Sequence, residues 1–346
     1  MKIFLQPCDS YFDVGEVLTK ILLKHVHLFE PGDTVLVKPN MLSARRPEEG
    51  VTTHPAVLQT VLRFLHTLKC RAIVADSPAS GNFEKIAEKT GIRDVCQDLN
   101  VPIFELDQPV SVDGQIYKKI HIDRRIFEVD KVINLAKLKT HSQMVLTLAV
   151  KNTFGCVPGL EKSGWHMRCG TNENFAALLV DVHRLVKPVL NIIDGIVGME
   201  ANGPANGKTK HFGVIAVGTD GFTLDFALCK RLNIEPMIVY TVRESMRRGL
   251  ISDHVVEGNW INQIQLPNTV SVLPVPSSLQ KIARSLFRSP KISKSMCIRC
   301  KICEERCPAK AIDIDEFKID YDKCIKCYVC HEVCPQGAIK LVRRFF

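Results

Sequence analysis

Cys297-Ile298-Arg299-Cys300-Lys301-Ile302-Cys303-Glu304-Glu305-Arg306-Cys307-Pro308 spells C-x2-C-x2-C-x3-C-P. The same spelling returns 27 residues later as Cys324, Cys327, Cys330 and Cys334, followed by Pro335. Eight soft thiolates at this spacing are what two [4Fe–4S] clusters need, because the short x2 steps wrap three ligands around one cluster. In runs of this kind the fourth cysteine ligates the other cluster. Cys297, Cys300, Cys303 and Cys334 are therefore assigned to one cluster, and Cys324, Cys327, Cys330 and Cys307 to the second. Zinc also uses C-x2-C pairs, but a four-coordinate site rarely draws on three closely spaced cysteines plus a fourth before proline. A disulfide framework implies an exported protein, which nothing else in the sequence supports.

The repeat extends past the ligands, since Cys307-Pro308-Ala309-Lys310-Ala311-Ile312 parallels Cys334-Pro335-Gln336-Gly337-Ala338-Ile339. Each half is expected to form a short helix and a strand, giving a small α+β ferredoxin-like domain over residues 294–346. Ala311, Ile312, Ala338 and Ile339 would wall the clusters from water and so tune their potential. Upstream, Pro274, Pro276, Ser277 and Ser278 mark a domain edge. Leu279, Ile282, Ala283, Leu286 and Phe287 then form one helical face, with Lys281, Arg284 and Arg288 opposite. Residues 277–293 thus read as an amphipathic linker helix. It either packs on the main domain or lies on a membrane surface.

Residues 1–276 alternate strand and helix patterns. Short strands are expected at residues 2–6, Thr34–Lys38, Arg71–Asp76, Pro102–Leu106, Lys131–Leu135, Val189–Asp194, Phe212–Val217 and Val270–Val275. Helical apolar spacing fills most of the intervals, and Asp220 is placed to cap a helix running to about Leu232. This order predicts a mostly parallel sheet with helices on both faces. Val110–Asp123, with Asp113-Gly114 at its centre, reads as a β-hairpin inserted in that sheet or at its edge. A helix is expected over Gln143–Thr153, and Gly155–Asn172 and Gly195–Lys210 read as long loops.

The composition is that of a soluble globular chain, 346 residues with 46% hydrophobic and 24% charged. The six cysteines outside the runs are scattered, as free thiols are in a reducing compartment. The start lacks a secretory pattern and no stretch approaches a membrane span, so a cytoplasmic location is expected. The formal charge is +9. Residues 291–346 hold twelve Lys and Arg against eight Asp and Glu, but each oxidised cluster with its thiolates adds about two negative charges. The remaining excess has no basic tract and no interleaved aromatics, which argues against nucleic acid as a partner.

Ligands of open α/β sheets bind outside the carboxyl ends of the strands. The expected strands place Lys38, Asn40, Asp76, Lys137, Lys139, His141 and Asp194 there, with Lys151, Asn152, Cys156 and His166 on the following helix and loop. Several lysines facing a few carboxylates make a pocket for a small anionic ligand. In that reading Lys38, Asn40, Asp76, Lys137, Lys151 and Asn152 bind, and His141, Asp194 and Lys139 serve catalysis. Each residue also has a plainer reading. Lys137 and Lys139 flank Leu138 and would then face solvent, His141 would begin a helix, and Asp76 and Asp194 would serve turns. Cys156 is a nucleophile candidate without a local acid–base partner. Gly203–Thr209 lacks the G-x4-G-K spacing of a P-loop, and no G-x-G-x-x-G follows the first strands.

VLVKPN (Val35–Asn40), INLAKLKTH (Ile133–His141), KNTFGC (Lys151–Cys156), DGIVGMEANGP (Asp194–Pro204) and the segment at Thr219–Phe226 together resemble the prokaryotic family known as domain of unknown function 362. Its members are often fused to a C-terminal two-cluster ferredoxin module. Ala201 stands where that resemblance leads us to expect glycine in a G-x-G-P turn, a departure that stiffens the loop. The resemblance implies the architecture and supplies no mechanism.

Two functional readings follow. In the first, an iron–sulfur redox enzyme of the ferredoxin-dependent oxidoreductase kind, at home in anaerobic metabolism, exchanges electrons with a redox partner protein and with a ligand at the strand ends. Tethering donor to acceptor would raise their effective concentration. In the second, the chain carries electrons or helps assemble a cofactor, and its large domain docks another enzyme. Clusters that are structural or that sense redox state are a third reading.

Overall fold

The structure is a computed structural model that describes residues 1–78, 81–159, 161–269 and 288–343. The strand expected at Val270–Val275, most of the amphipathic helix and Ala79 and Ser80 lie outside the described residues.

The chain opens with β1 (Lys2–Pro7), α1 (Val14–Leu22), β2 (Thr34–Lys38), α2 (Pro55–Thr67) and β3 (Arg71–Asp76). It continues with α3 (Phe83–Lys89), α4 (Ile92–Asp98), β4 (Ile103–Glu105), the hairpin β5 (Pro109–Val112) and β6 (Ile120–Asp123), and α5 (Arg125–Glu128). The central strand β7 (Lys131–His141) follows, then β8 (Val145–Thr147), α6 (Ala149–Asn152), α7 (Glu161–Cys169) and α8 (Asn172–Val186). β9 (Leu190–Glu200), β10 (Lys208–Gly218), α9 (Gly221–Arg231), α10 (Tyr240–Arg247) and β11 (Val255–Glu257) complete the large domain.

Among the described residues the sheet runs β11-β1-β10-β9-β7-β2-β3-β4, with β8 paired to β7. Pairing is parallel from β9 through β7, β2 and β3 to β4 and between β1 and β11, and antiparallel at β1–β10, β9–β10 and β7–β8. The sheet is thus mostly parallel. Alternation along the strands feeds two cores. Val35, Val37, Ile133 and Leu135 pack under α1 to α4. Leu36 and Val132 meet α7 and α8, and Ala136, Leu138 and Val214 meet α9 and α10. Helices therefore cover both faces, which is what continuous apolar strands require.

Several boundaries differ from the sequence reading. β5 and β6 pair only with each other, outside the large sheet. β7 runs six residues beyond Leu135, so Lys137, Lys139 and His141 lie on the strand and are buried. Their polarity masks a strand whose heads find partners inside the protein. β8 occupies the start of the expected helix at residue 143, and α7 stands in the supposed loop after Gly155. β9 and β10 extend into the other supposed loop. Asp220 does cap α9, its Oδ1 accepting from the Phe222 and Thr223 amides at 2.7 and 3.1 Å.

In the C-terminal module β12 (Ser289–Ile292) pairs antiparallel with β15 (Ile339–Val342), and β13 (Ile312–Asp313) with β14 (Lys318–Ile319). One-turn helices α11 (Ile302–Glu305) and α12 (Val329–Val333) precede the fourth cysteines. The residues from Ser289 thus belong to the module's own sheet rather than to a linker helix. The halves repeat in backbone as in sequence. Arg299, Lys301 and Lys310 have positive φ, and so do their counterparts Lys326, Tyr328 and Gly337. Among the described residues no helix is long and apolar enough to cross a membrane.

Candidate functional site

The eight cysteines surround two cavities of about 330 Å³ each. Cys297, Cys300, Cys303 and Cys334 line one, and Cys307, Cys324, Cys327 and Cys330 the other. This is the crossed assignment read from the spacing. Ala311 donates its amide to Cys307 Sγ at 3.3 Å and Ala338 to Cys334 Sγ at 3.1 Å, the same bond in each half. Such amide bonds orient and stabilise a ligating thiolate. Ile314 and Ile339 wall the first cavity and Ile312 and Ile319 the second, all four in one buried apolar cluster. The donor set and its apolar wall fit two cubane clusters.

A third cavity, of about 760 Å³, opens where the carboxyl ends of β2, β3 and β7 meet α6, α7 and the module. Of the nine residues expected to bind or react, seven line it: Lys38, Asn40, Asp76, Lys139, His141, Lys151 and Asn152. Lys38 Nζ lies 2.8 Å from Asp76 Oδ1, both buried, and Asp76 Oδ2 accepts from the Met41 amide at 2.8 Å. Gly155 passes so close that a Cβ there would sit 2.2 Å from Asp76 Oδ1 and 2.6 Å from Lys38 Nζ. Only glycine lets the loop cross this ion pair. Lys139 donates to Asn40 Oδ1 at 2.8 Å and to the Val51 carbonyl at 2.5 Å. From Asn40 a chain of amides runs through Asn152 and Asn134 to Asn191, in steps of 2.7, 2.7 and 2.9 Å. It fixes the cavity floor without carrying charge.

Lys137 and Asp194 are placed elsewhere. They form a fully buried ion pair at 2.7 Å that also holds the Tyr11 hydroxyl, and they do not line the cavity. Burial of Lys137 and Lys139 rules out the solvent-facing reading of both. Cys156 is buried too, its thiol pushed up to about 12 mainly by burial, which leaves it without nucleophilic character at neutral pH.

Sequence reasoning missed the rest of the lining. α7 adds Lys162 beside His166, and the module adds Arg306, Val329, Glu332 and Val333. Arg306 precedes Cys307, Val329 precedes Cys330, and Val333 precedes Cys334, so cavity and clusters share a wall. The only advance signal was the internal repeat. It makes Arg306 equivalent to Val333 but does not say which half faces the large domain.

Charge in the cavity is mostly positive and held out of water. Burial lowers Lys162 to about 7 and holds Lys139 well below its ordinary value, with nearby lysines adding to the effect on Lys139. Burial also lowers Lys151, against the pull of Glu332, whose own carboxyl burial raises. His166 is lowered to about 3, so it is neutral, and its buried Nδ1 has no hydrogen-bond partner. His141 Nδ1 accepts from the Gln143 and Met144 amides at 3.1 and 3.2 Å. Its proton therefore sits on Nε2, 3.2 Å from Glu332 Oε1, in an approach not aligned as a hydrogen bond. An anion with a hydrogen-bonding body would satisfy these groups.

Residues 35–230 match the family profile described as Domain of unknown function (DUF362). The chain belongs to the DUF362 family. Residues 290–313 and 317–340 each match the 4Fe-4S binding domain, and the module carries two [4Fe–4S] clusters. A relative, the thylakoid-associated protein sll1697 of Synechocystis sp., is 34% identical over 273 residues, which is 75% of this chain and 83% of that protein. Among solved structures, the lactate racemase apoprotein of Thermoanaerobacterium thermosaccharolyticum aligns over 66% of this chain. It does so with a TM-score of 0.45 and 12% identity, and this chain spans 56% of it.

Proposed function

We propose that this iron–sulfur electron-transfer protein is an oxidoreductase acting on a small anionic ligand held in the 760 Å³ cavity. The observation that carries the reading is the shared wall. The cationic cavity is lined by Arg306, Val329 and Val333, each the direct neighbour of a cluster-ligating cysteine. When bound, the clusters supply single electrons. The chain's own residues do the remaining work. Lys38, Lys151, Lys162 and Arg306 attract the anion, Asn40 and Asn152 set its orientation, and His141 presents an Nε2 proton. α7 and α12 keep bulk water out. Two of the cysteines beside that wall, Cys307 and Cys330, belong to one cluster. An external redox protein would dock at the far side of the cluster held by Cys297, Cys300, Cys303 and Cys334, where Cys300 and Ile298 are exposed.

The test uses the reconstituted holo-protein under anaerobic conditions, with inorganic phosphate as the probe. An anion bound beside one cluster makes adding an electron there harder, so saturating phosphate should move one of the two potentials downward and leave the other in place. By reciprocity, reduction should weaken phosphate binding by the same free energy. Lys139→Ala should weaken that response without loss of iron. No phosphate binding together with a stable protein partner in an anaerobic pull-down would overturn the proposal in favour of a carrier or assembly protein.

A further inference from the structure

Among the described residues four lysines line the cavity, and three are engaged. Lys38 is paired with Asp76 and donates to the Pro39 carbonyl at 3.1 Å, Lys139 donates to Asn40 and Val51, and Lys162 donates to the Ser77 carbonyl at 2.8 Å. Lys151 differs. Among the described residues its ammonium has no hydrogen bond and no ion pair. It lies over two aromatic faces, 4.9 Å from the Phe154 ring centre and 5.8 Å from that of Phe175. Its backbone is nonetheless held firmly. Asp225 accepts from the Ala149 and Val150 amides at 2.8 and 3.0 Å and pins the start of α6. The aromatic faces favour the ammonium, but the apolar surroundings and the neighbouring cations work against it and leave part of the population as the free, nucleophilic amine.

We propose that Lys151 is a catalytic nucleophile that forms an iminium with the carbonyl carbon of a small anionic oxo compound bound in this cavity. The inference rests on the reading of the cavity as an anion site and adds the substrate class. The neutral amine adds to the carbonyl and a C–N bond forms. The carbinolamine oxygen takes one proton from solvent and leaves as water, the C–O bond breaks, and a cationic iminium remains. No electrons are exchanged in these steps. Arg306 and the unused N–H groups of Lys38 and Lys162 remain for the anionic group. Burial acts in the same direction, holding the Lys151 ammonium below its ordinary range.

The experiment incubates anaerobic holo-protein with glyoxylate and cyanoborohydride and maps the alkylated lysines by peptide mass spectrometry. Lys151 should be labelled about tenfold or more faster than exposed lysines, which are almost wholly protonated at neutral pH. Phosphate should slow that labelling. Lys151→Arg puts a permanent cation in place of the amine, so it should lose the label and bind phosphate at least as tightly. Equal labelling across surface lysines, or preferential labelling of Lys162, would overturn the inference. If wild-type protein binds phosphate and Lys151 stays unlabelled, this inference alone falls. If it binds none, the anion-site reading falls and takes the inference with it.

Discussion

The Lys38–Asp76 pair gives the sharpest test of how the cavity is built. The two groups are 2.8 Å apart, and their side chains are 1% and 4% exposed. Lys38→Met keeps the volume of the stem but strands the Asp76 carboxylate, and Asp76→Asn strands the ammonium. Leaving one charge of a buried pair unpaired costs about 3–5 kcal/mol. Lys162 also pulls on Asp76, so the Lys38 change belongs near the lower end. The combined change leaves no member of the pair charged, and the asparagine can still accept from the Met41 amide. Its cost should be about 1 kcal/mol, giving a coupling of about 5 kcal/mol. Anaerobic urea unfolding of the holo-protein, followed by fluorescence, reads the large domain, because Trp165 and Trp260 are both buried there. Each single variant should also melt roughly 6–10 °C lower. Single costs that add within about 0.5 kcal/mol would refute the argument, since two independent sites would do the same.

Three further outcomes are expected. Cys307→Ser and Cys324→Ser should each lower iron from about eight to about four atoms, and combining them should lower it no further. Cys307→Ser with Cys297→Ser should remove both clusters, as iron and sulfide analysis would show. Lys162 is protonated in the folded chain only below about pH 7, against an ordinary value of 10.5. Between these values the unfolded chain holds the extra proton. Stability relative to Lys162→Met should therefore rise with pH across that window, by at most about 1.4 kcal/mol per pH unit, and show no such slope below it. Ala201 adopts φ +62°, a left-handed conformation that costs a residue bearing a Cβ about 1–2 kcal/mol. Ala201→Gly should thus stabilise by about 0.5–1 kcal/mol after the entropy glycine adds to the unfolded chain, measurable as a shifted urea midpoint.

The sequence was most legible where local rules act alone. The cysteine spacing named its cavities down to the crossed fourth ligands, and β2 and β3 kept their expected ends at Lys38 and Asp76. It was least legible where tertiary partners override pattern. Lys137, Lys139 and His141 look like the polar end of a strand, yet they continue β7 into the interior because Asp194, Asn40 and two backbone amides receive them. Periodicity counts side chains as apolar or polar and cannot see a partner 57 or 99 residues away. For the same reason Lys137 and Lys139, two residues apart on one face, go to different ends, one to a sealed ion pair and one to the cavity. Glu332 was hidden for another reason. The first half of the repeat offers Glu305 at the equivalent place, and that residue is exposed.

The junction between the two parts makes cluster and cavity hard to separate. His331 bridges the Ile339 carbonyl at 2.7 Å and the Asn202 carbonyl at 3.1 Å. Asn206 donates to the His331 carbonyl at 2.6 Å, and Arg45 donates to the Pro335 carbonyl at 3.0 Å. All these bonds converge on the turn from His331 to Pro335, the turn that also carries Cys334 and presents Glu332 to His141. The same backbone therefore sets both the ligand geometry of a cluster and the low-dielectric state of the anion site, and that makes the fusion of the two domains more than a tether.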